Sequence, residues 1–290
     1  NTTILSKQFA LPQWLNCFDR IVVFDLEFVG DINDPSHCAL WEIGAHHLGS
    51  NDSFHVIVDP GIQCIPPPEE GCFDLTQHFL NLHAVPLAVG LQKFVQWANR
   101  YRLLISHNCF KSDLMVLRGA FARCGIECPG WLFMDSLLVL RRQLPALDNY
   151  KLGTIYNHYM GKNMLASHRA MVDTMALQQI LLAMSPPRDT VFAYPMQLTP
   201  LQNIRGVGHA CELDLVRKGI RSVESLIEKI LCEKASMDLW QDIGLDKAVA
   251  RFLQCMQLPV QDISTVRDDL VWRINRNTTT QNEQQTQKGQ

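Results

Sequence analysis

The sequence predicts an α/β domain on a mixed five-stranded sheet flanked by helices, followed by a small all-α domain. Three observations predict it. Before residue 185, β-branched and apolar runs near 20–29, 38–48, 53–59, 102–106 and 131–135 are followed or separated by stretches of helical period. That order suits three antiparallel strands with parallel additions through helical crossovers. After Ser185-Pro186-Pro187-Arg188-Asp189 the pattern turns wholly helical. The expected divisions are 1–185, 196–260 and a polar tail over 275–290.

The first strand carries chemistry at its end. Arg20 to Phe24 is apolar and β-branched and runs straight into Asp25-Leu26-Glu27. Side chains at i and i+2 share a strand face, so Asp25 and Glu27 point together and Leu26 points into the core. Two close carboxylates raise one another's pKa unless a cation neutralises them. Magnesium and manganese prefer such hard oxygen ligands. As a lone signal, D-x-E also describes an ordinary strand end with solvated acids.

Further along, the segment from Gly61 to Cys72 contains Pro66-Pro67-Pro68 and reads as a rigid connector. Arg102 to Ser106 is a short buried strand that His107-Asn108 breaks. Ser112-Asp113 then opens a helix marked by Leu114, Leu117, Ala120 and Phe121, and either residue suits a cap or a first-turn acid. Met171, Met175, Ile180 and Leu181 mark a helix that Pro186 and Pro187 stop. Asp173 lies inside it, where an acid has poor propensity. His168 precedes Asp173 by just over one turn and supplies a group that takes a proton near neutral pH; Ser167 as a cap is the plainer account of that helix start. Together these acids and the histidine suggest a two-metal phosphodiester hydrolase.

These segments resemble the DEDDh exonucleases of the proofreading-exonuclease, ribonuclease H-like superfamily. IVVFDLEFVG followed by LWEIGAHHL resembles the first two strands of that family, where a Glu-Ile-Gly recurs. SHNCFKSDLMVL is similar to its second motif, WLFMDSLLVLR to the strand and helix that follow, and YKLGTIYNHYMG with SHRAMVDTMAL to its third motif. The likeness spans residues 18 to 184 and implies a two-metal mechanism. Two divalent ions, Mg2+ or Mn2+, about 3.5–4 Å apart, would clamp the scissile phosphate. Asp25 would bridge them, Glu27 and Asp173 would help hold the ion carrying the attacking water, Asp113 would act partly through waters, and His168 would take the proton. His107 and Asn108 would contact substrate. Phe28 stands where the family often has a small hydroxyl residue, and would stack on or wedge against the terminal base. The implied products are nucleoside 5′-monophosphates released from a 3′ end.

The helical second part resembles a helix-hairpin-helix module in LTPLQNIRGVGHACELDLVRKGIRSVESLIEKI. The family's Gly-x-Gly hairpin lets amides at a helix start approach a DNA phosphate without reading a base. Here that implies contacts from Gly206 and Gly208, with Arg205, His209 and Lys218 adding charge. Lys218-Gly219-Ile220 ends one helix, Ser222 caps the next, and helices over 223–234 and 246–256 complete the domain. Acids and bases balance over 196–260, so this is no basic patch. From Asn275 the tail is Asn, Gln and Thr with almost no apolar residue, and disorder is expected.

Composition bounds the rest. The net charge is −3, and Arg118, Arg123, Arg141, Arg142, Lys151 and Arg169 would supply local positive surface. The ten cysteines show no C-x-x-C pair; Cys124 and Cys128 come closest, and none completes a zinc set. Reduced thiols, no signal-peptide pattern and no apolar run long enough for a bilayer suggest an intracellular compartment, cytoplasm or nucleus. The start at Asn1 rather than Met suggests a processed or trimmed chain. The expected function is a metal-dependent 3′→5′ exonuclease on DNA, with a 3′ nucleic-acid end as partner and a polymerase or repair factor as a protein it would dock on. The alternatives are a 3′→5′ exoribonuclease and a non-cleaving nucleic-acid binding or assembly protein; all five catalytic positions are filled, which speaks against the latter.

Overall fold

The computed structural model describes residues 8–9, 20–30, 38–61, 75–164, 168–184, 191–238, 244–260 and 262–288. The proline connector, Ser167, Pro186 and Pro187 lie outside the described residues. The chain forms two compact units, Asn1–Met196 and Gln197–Gln290.

The first unit is built on a mixed sheet. Its strands are β1 (Gln8–Phe9), β2 (Ile21–Val29), β3 (Ala39–His47), β4 (Ser53–Asp59), β5 (Val85–Pro86), β6 (Leu103–Ser106), β7 (Leu132–Asp135), β8 (Val191–Phe192) and β9 (Tyr194–Pro195). Its helices are α1 (Gln77–His83), α2 (Leu87–Ala98), α3 (Asp113–Cys124), α4 (Ser136–Gln143), α5 (Leu152–Met160) and α6 (Ala170–Ala183). The main sheet runs β5-β4-β3-β2-β6-β7-β9. The five expected strands form its centre: β2, β3 and β4 pair antiparallel, while β6 and β7 add in parallel. Two-residue strands β5 and β9 extend the edges, and pieces this short leave no period to read. Because β9 pairs with β7, the first unit reaches Met196, beyond the division read near 185.

Alternation along β2 sorts the two layers. Phe24 meets Phe133 edge to face, in a cluster continued by Trp131, Phe94 and Phe121. Ile21 and Val23 point the other way, into a core with Leu140 of α4, Ile155 of α5 and Leu177 and Ile180 of α6. Asp25 and Glu27 have the parity of Ile21 and Val23, so they emerge on the α6 side.

Helix α6 approaches the sheet closely at one point. Gly44 of β3 sits opposite Asp25 of β2. A Cβ there would lie 2.5 Å from the Ala170 carbonyl carbon and 2.7 Å from the Met171 nitrogen. No side chain fits, so glycine is required by space. The Thr174 hydroxyl donates to the Gly44 carbonyl at 3.3 Å.

In the second unit a 3-10 turn, Leu201–Asn203, leads into α7 (His209–Arg217), α8 (Val223–Asp238), α9 (Leu245–Met256) and α10 (Ile263–Lys288). Leu201, Ile204, Leu215, Leu226, Phe252 and Leu270 share its core. Gly206 takes φ +83, and a Cβ on it would come 2.9 Å from a Val266 methyl, so the turn packs tightly on α10. Gly219, after α7, takes φ +80, and the Ser222 hydroxyl accepts from the Ser225 amide at 3.2 Å at the start of α8. Helix α10 continues past Asn275, into the polar segment for which the sequence suggests disorder. Val266, Leu270 and Ile274 anchor its first turns in the core. Among the described residues no helix is long and apolar enough to cross a membrane.

Gly44→Ala should lower stability by about 1–3 kcal/mol through overpacking. Gly130→Ala is the control, since a Cβ there meets nothing within 4 Å. Urea midpoints of the two variants check this: an unchanged midpoint for Gly44→Ala would contradict the close approach.

Candidate active site

Asp25 and Glu27 stand at the end of β2, and Asp173 lies in the first turn of α6. One oxygen from each of the three lies within 4.8 Å of the others. All three are half-buried. Asp113 takes a different place. Strand β6 ends at Ser106 while β2 continues to Val29, so the Leu26 amide has outrun its parallel neighbour. The Asp113 carboxylate accepts from it at 3.0 Å and from the Ser106 hydroxyl at 3.0 Å. Asp113 thus ties the strand to the start of α3, buried behind the other three acids.

The electrostatics reflect this crowding. Burial, then the charges of Asp113, Glu27 and Asp173, raise Asp25 well above the usual carboxylate range. Burial, then Asp173 and Glu42, push Glu27 up to about 8, against a lowering influence from Arg169. Burial raises Asp113 to about 7. Asp173 is raised by burial, with the His168 amide opposing. Carboxylates so placed hold protons or attract a cation. An all-oxygen donor set of this kind fits a hard divalent ion.

His168 precedes α6 and is exposed, with φ +63. For a residue other than glycine that left-handed conformation is uncommon and clusters at functional sites. Its amide donates to the Asp173 carboxylate at 2.9 Å, which holds the turn. The residue flanking α6 as its cap is Arg169, so His168 lies just outside the helix rather than in its first turn.

His107 has both ring nitrogens engaged. Nε2 lies 2.8 Å from the Tyr150 carbonyl, which can only accept, so Nε2 carries the proton. Nδ1, 3.1 Å from the Ser136 hydroxyl, is then the acceptor. Burial lowers the His107 pKa. The ring fastens the loop after β6 to α4 and to the segment before α5. Asn108 takes φ +62. Asp135 accepts from the Phe110 amide at 3.3 Å and the Leu137 amide at 2.9 Å, pinning the same loop. Phe28 is half-buried just past a bulge: Glu27 pairs with Glu42 but Phe28 pairs with Leu40, leaving Trp41 as the extra residue.

Arg205, Gly206, Gly208 and His209 all lie in the second unit, at the turn into α7. Gly208 is exposed and caps α7 without a side-chain hydrogen bond. Lys218 is engaged by Asp214 and by the Met256 carbonyl, which draws it onto the end of α9. Among the other basic residues, Arg141 stacks on Tyr150 with Cζ 5.4 Å from the ring centroid.

Sequence reasoning passed over Glu42. It is fully buried on β3, directly across from Glu27. It accepts from Arg169 Nε at 3.0 Å and Arg169 Nη2 at 3.1 Å, from His55 Nε2 at 2.7 Å, and from the Ala170 amide at 3.3 Å. Burial alone would raise its pKa, but the hydrogen bonds from His55 and Arg169 outweigh that and hold it below the usual value. Arg169, read from sequence as general positive surface, is thus an internal partner. The recurring Glu-Ile-Gly was the available signal: Glu42 and Gly44 are its two ends.

The exonuclease family profile (RNase_T) matches residues 22–181. No curated protein matches the sequence. Among solved structures, a zinc-bound complex of E. coli ExoI with single-stranded DNA is similar at 14% identity and a TM-score of 0.44, covering 56% of this chain and 40% of that one. The nuclease domain of 3′hExo, a DEDDh family member bound to rAMP, is similar at 14% identity and a TM-score of 0.42, covering 56% of this chain and 89% of that one. This chain therefore spans less than half of the ExoI chain. With more than half of its own length matched by the family profile, and the acid cluster inside the matched span, the chain belongs to the RNase_T exonuclease family.

Proposed function

We propose that this chain is a divalent-metal-dependent 3′→5′ exonuclease that removes nucleoside 5′-monophosphates from DNA. One observation carries the reading: Asp25, Glu27 and Asp173, from a strand and a helix far apart in sequence, converge within 4.8 Å. Their raised pKa values, with that of Asp113, describe a site short of positive charge. Asp25, Glu27 and Asp173 would hold the cations, with Asp113 acting more distantly, partly through waters, while fixing the Leu26 amide. Bound there, Mg2+ or Mn2+ supplies a polarised water and cover for charge on the leaving oxygen. His168 takes the proton of the attacking water, from a backbone that Asp173 itself orients. Phe28 stacks against the terminal base, and Asn108, on the loop after β6, contacts the substrate. The 3′ polarity rests on the DEDDh order of these five residues.

The second unit supports DNA over RNA. Its turn into α7 is read as a helix-hairpin-helix, where open first-turn amides at Gly208 take a backbone phosphate with Arg205 and His209 alongside. Polymerase or repair docking through this unit is the accompanying partner expectation.

On 5′-labelled single-stranded DNA, duplex DNA and RNA with magnesium, a ladder shortening from the 3′ end is expected, fastest on DNA. Asp25→Ala should abolish it. His168→Ala should lower turnover by about 10²–10⁴-fold with binding retained. Intact substrate throughout, with tight binding, would leave a binding protein on a nuclease fold.

A second expectation concerns pH. Glu27 near 8 and Asp113 near 7, against ordinary values of 4.5 and 3.8, keep protons on the folded metal-free chain that the unfolded chain releases. Their stability contribution is complete below the unfolded values and is lost as pH rises through the folded ones. In chelator, the melting temperature should therefore fall between about pH 4 and pH 8. Magnesium should restore it most at the alkaline end. A melting temperature at pH 8 that ignores magnesium would count against a cation at this cluster.

A further inference from the structure

Glu42 poses a physical problem. A fully buried carboxylate stands directly across from Glu27, where its charge adds to the crowding of the acids. A buried ion pair is weak as a source of stability, and an apolar side chain of similar volume would often pack as well or better. What the carboxylate does uniquely is grip two consecutive residues of the segment that enters α6. It takes the Arg169 guanidinium through both oxygens and the Ala170 amide through Oε2. The Phe79 ring of α1 lies against that guanidinium, 5.9 Å from Cζ to centroid. His55 closes the set from β4. The residue just before this clamped pair is His168, in its left-handed turn, with its amide on Asp173.

We propose that Glu42 is a positioning residue of the exonuclease site. Acting through Arg169 and the Ala170 amide, it fixes the backbone on one side of His168 while Asp173 fixes it on the other. The inference rests on the reading of His168 as the proton acceptor. Gly44 belongs to the same device, since only its missing Cβ lets the clamped turn reach the sheet. The Glu-Ile-Gly of β3 is then a seat for the entry to α6, with one residue holding and one making room.

The test is a kinetic double-mutant cycle with Glu42→Gln, His168→Ala and the double variant, on 5′-labelled single-stranded DNA with magnesium. Hydrogen exchange of the His168 amide in the metal-free protein accompanies it. Glu42→Gln should lower kcat by about 10–100-fold, the range for residues that orient a metal site's ligands, with KM nearly unchanged. In the His168→Ala background the same change should cost less than about threefold, because the group being positioned is gone. In the metal-free Glu42→Gln protein the His168 amide should lose protection while amides of β2 keep theirs. Arg169→Lys, which keeps the charge but loses the two-pronged grip, should reproduce these effects if Glu42→Gln does not fold. Equal losses from Glu42→Gln in both backgrounds, or unchanged exchange at His168, would overturn the proposal while leaving His168 as the proton acceptor. An unimpaired His168→Ala enzyme would remove the reading of His168 and the proposal with it.

Discussion

Everything at this site depends on how closely α6 meets the sheet. Asp25 and Glu27 are set by strand parity alone, but Asp173 reaches them only because Ala170 and Met171 lie against the bare Cα of Gly44. The contact joins residues separated by more than a hundred positions in sequence, so the acid cluster exists only in the folded chain. The first unit packs α4, α5 and α6 on one layer of the sheet and the aromatic cluster on the other.

The acid cluster works against the fold that builds it. Burial and mutual repulsion raise the pKa values of Asp25, Glu27, Asp113 and Asp173 together. The structure answers with fixed partial charges and one full charge: the Leu26 amide and Ser106 hydroxyl on Asp113, the His168 amide on Asp173, and the Arg169 guanidinium near Glu27. These offset part of the repulsion and leave the remainder for a cation. A site that its own protein neutralised fully would have no reason to bind one.

Much of this was legible in the sequence. The five central strands follow from β-branched, apolar runs and the shared face of Asp25 and Glu27 from period-two alternation, and Asp173 from the third motif joins them. What escaped is what periodicity cannot carry. Glu42 looks like one more strand residue until the register places it across from Glu27. The partners of His107 were equally hidden, since Ser136 and Tyr150 lie 29 and 43 positions away in sequence. The first turns of α10 were hidden because Val266, Leu270 and Ile274 sit in a segment that soon turns wholly polar. Two-residue strands such as β9 depend on a neighbour's open edge, which no local pattern records.

With His168 as the proposed proton acceptor, its backbone has a consequence for how activity could be lost. Left-handed φ is taken most readily by glycine and asparagine. A change to either would relax the turn while deleting the imidazole, and the amide bond to Asp173 belongs to the main chain and would survive. Silencing at this one position is therefore conformationally downhill, whereas silencing at Asp113 unfastens a strand. A lineage drifting from cutting nucleic acid towards merely holding it has its easiest exit here, with the fold and the cation seat left behind intact.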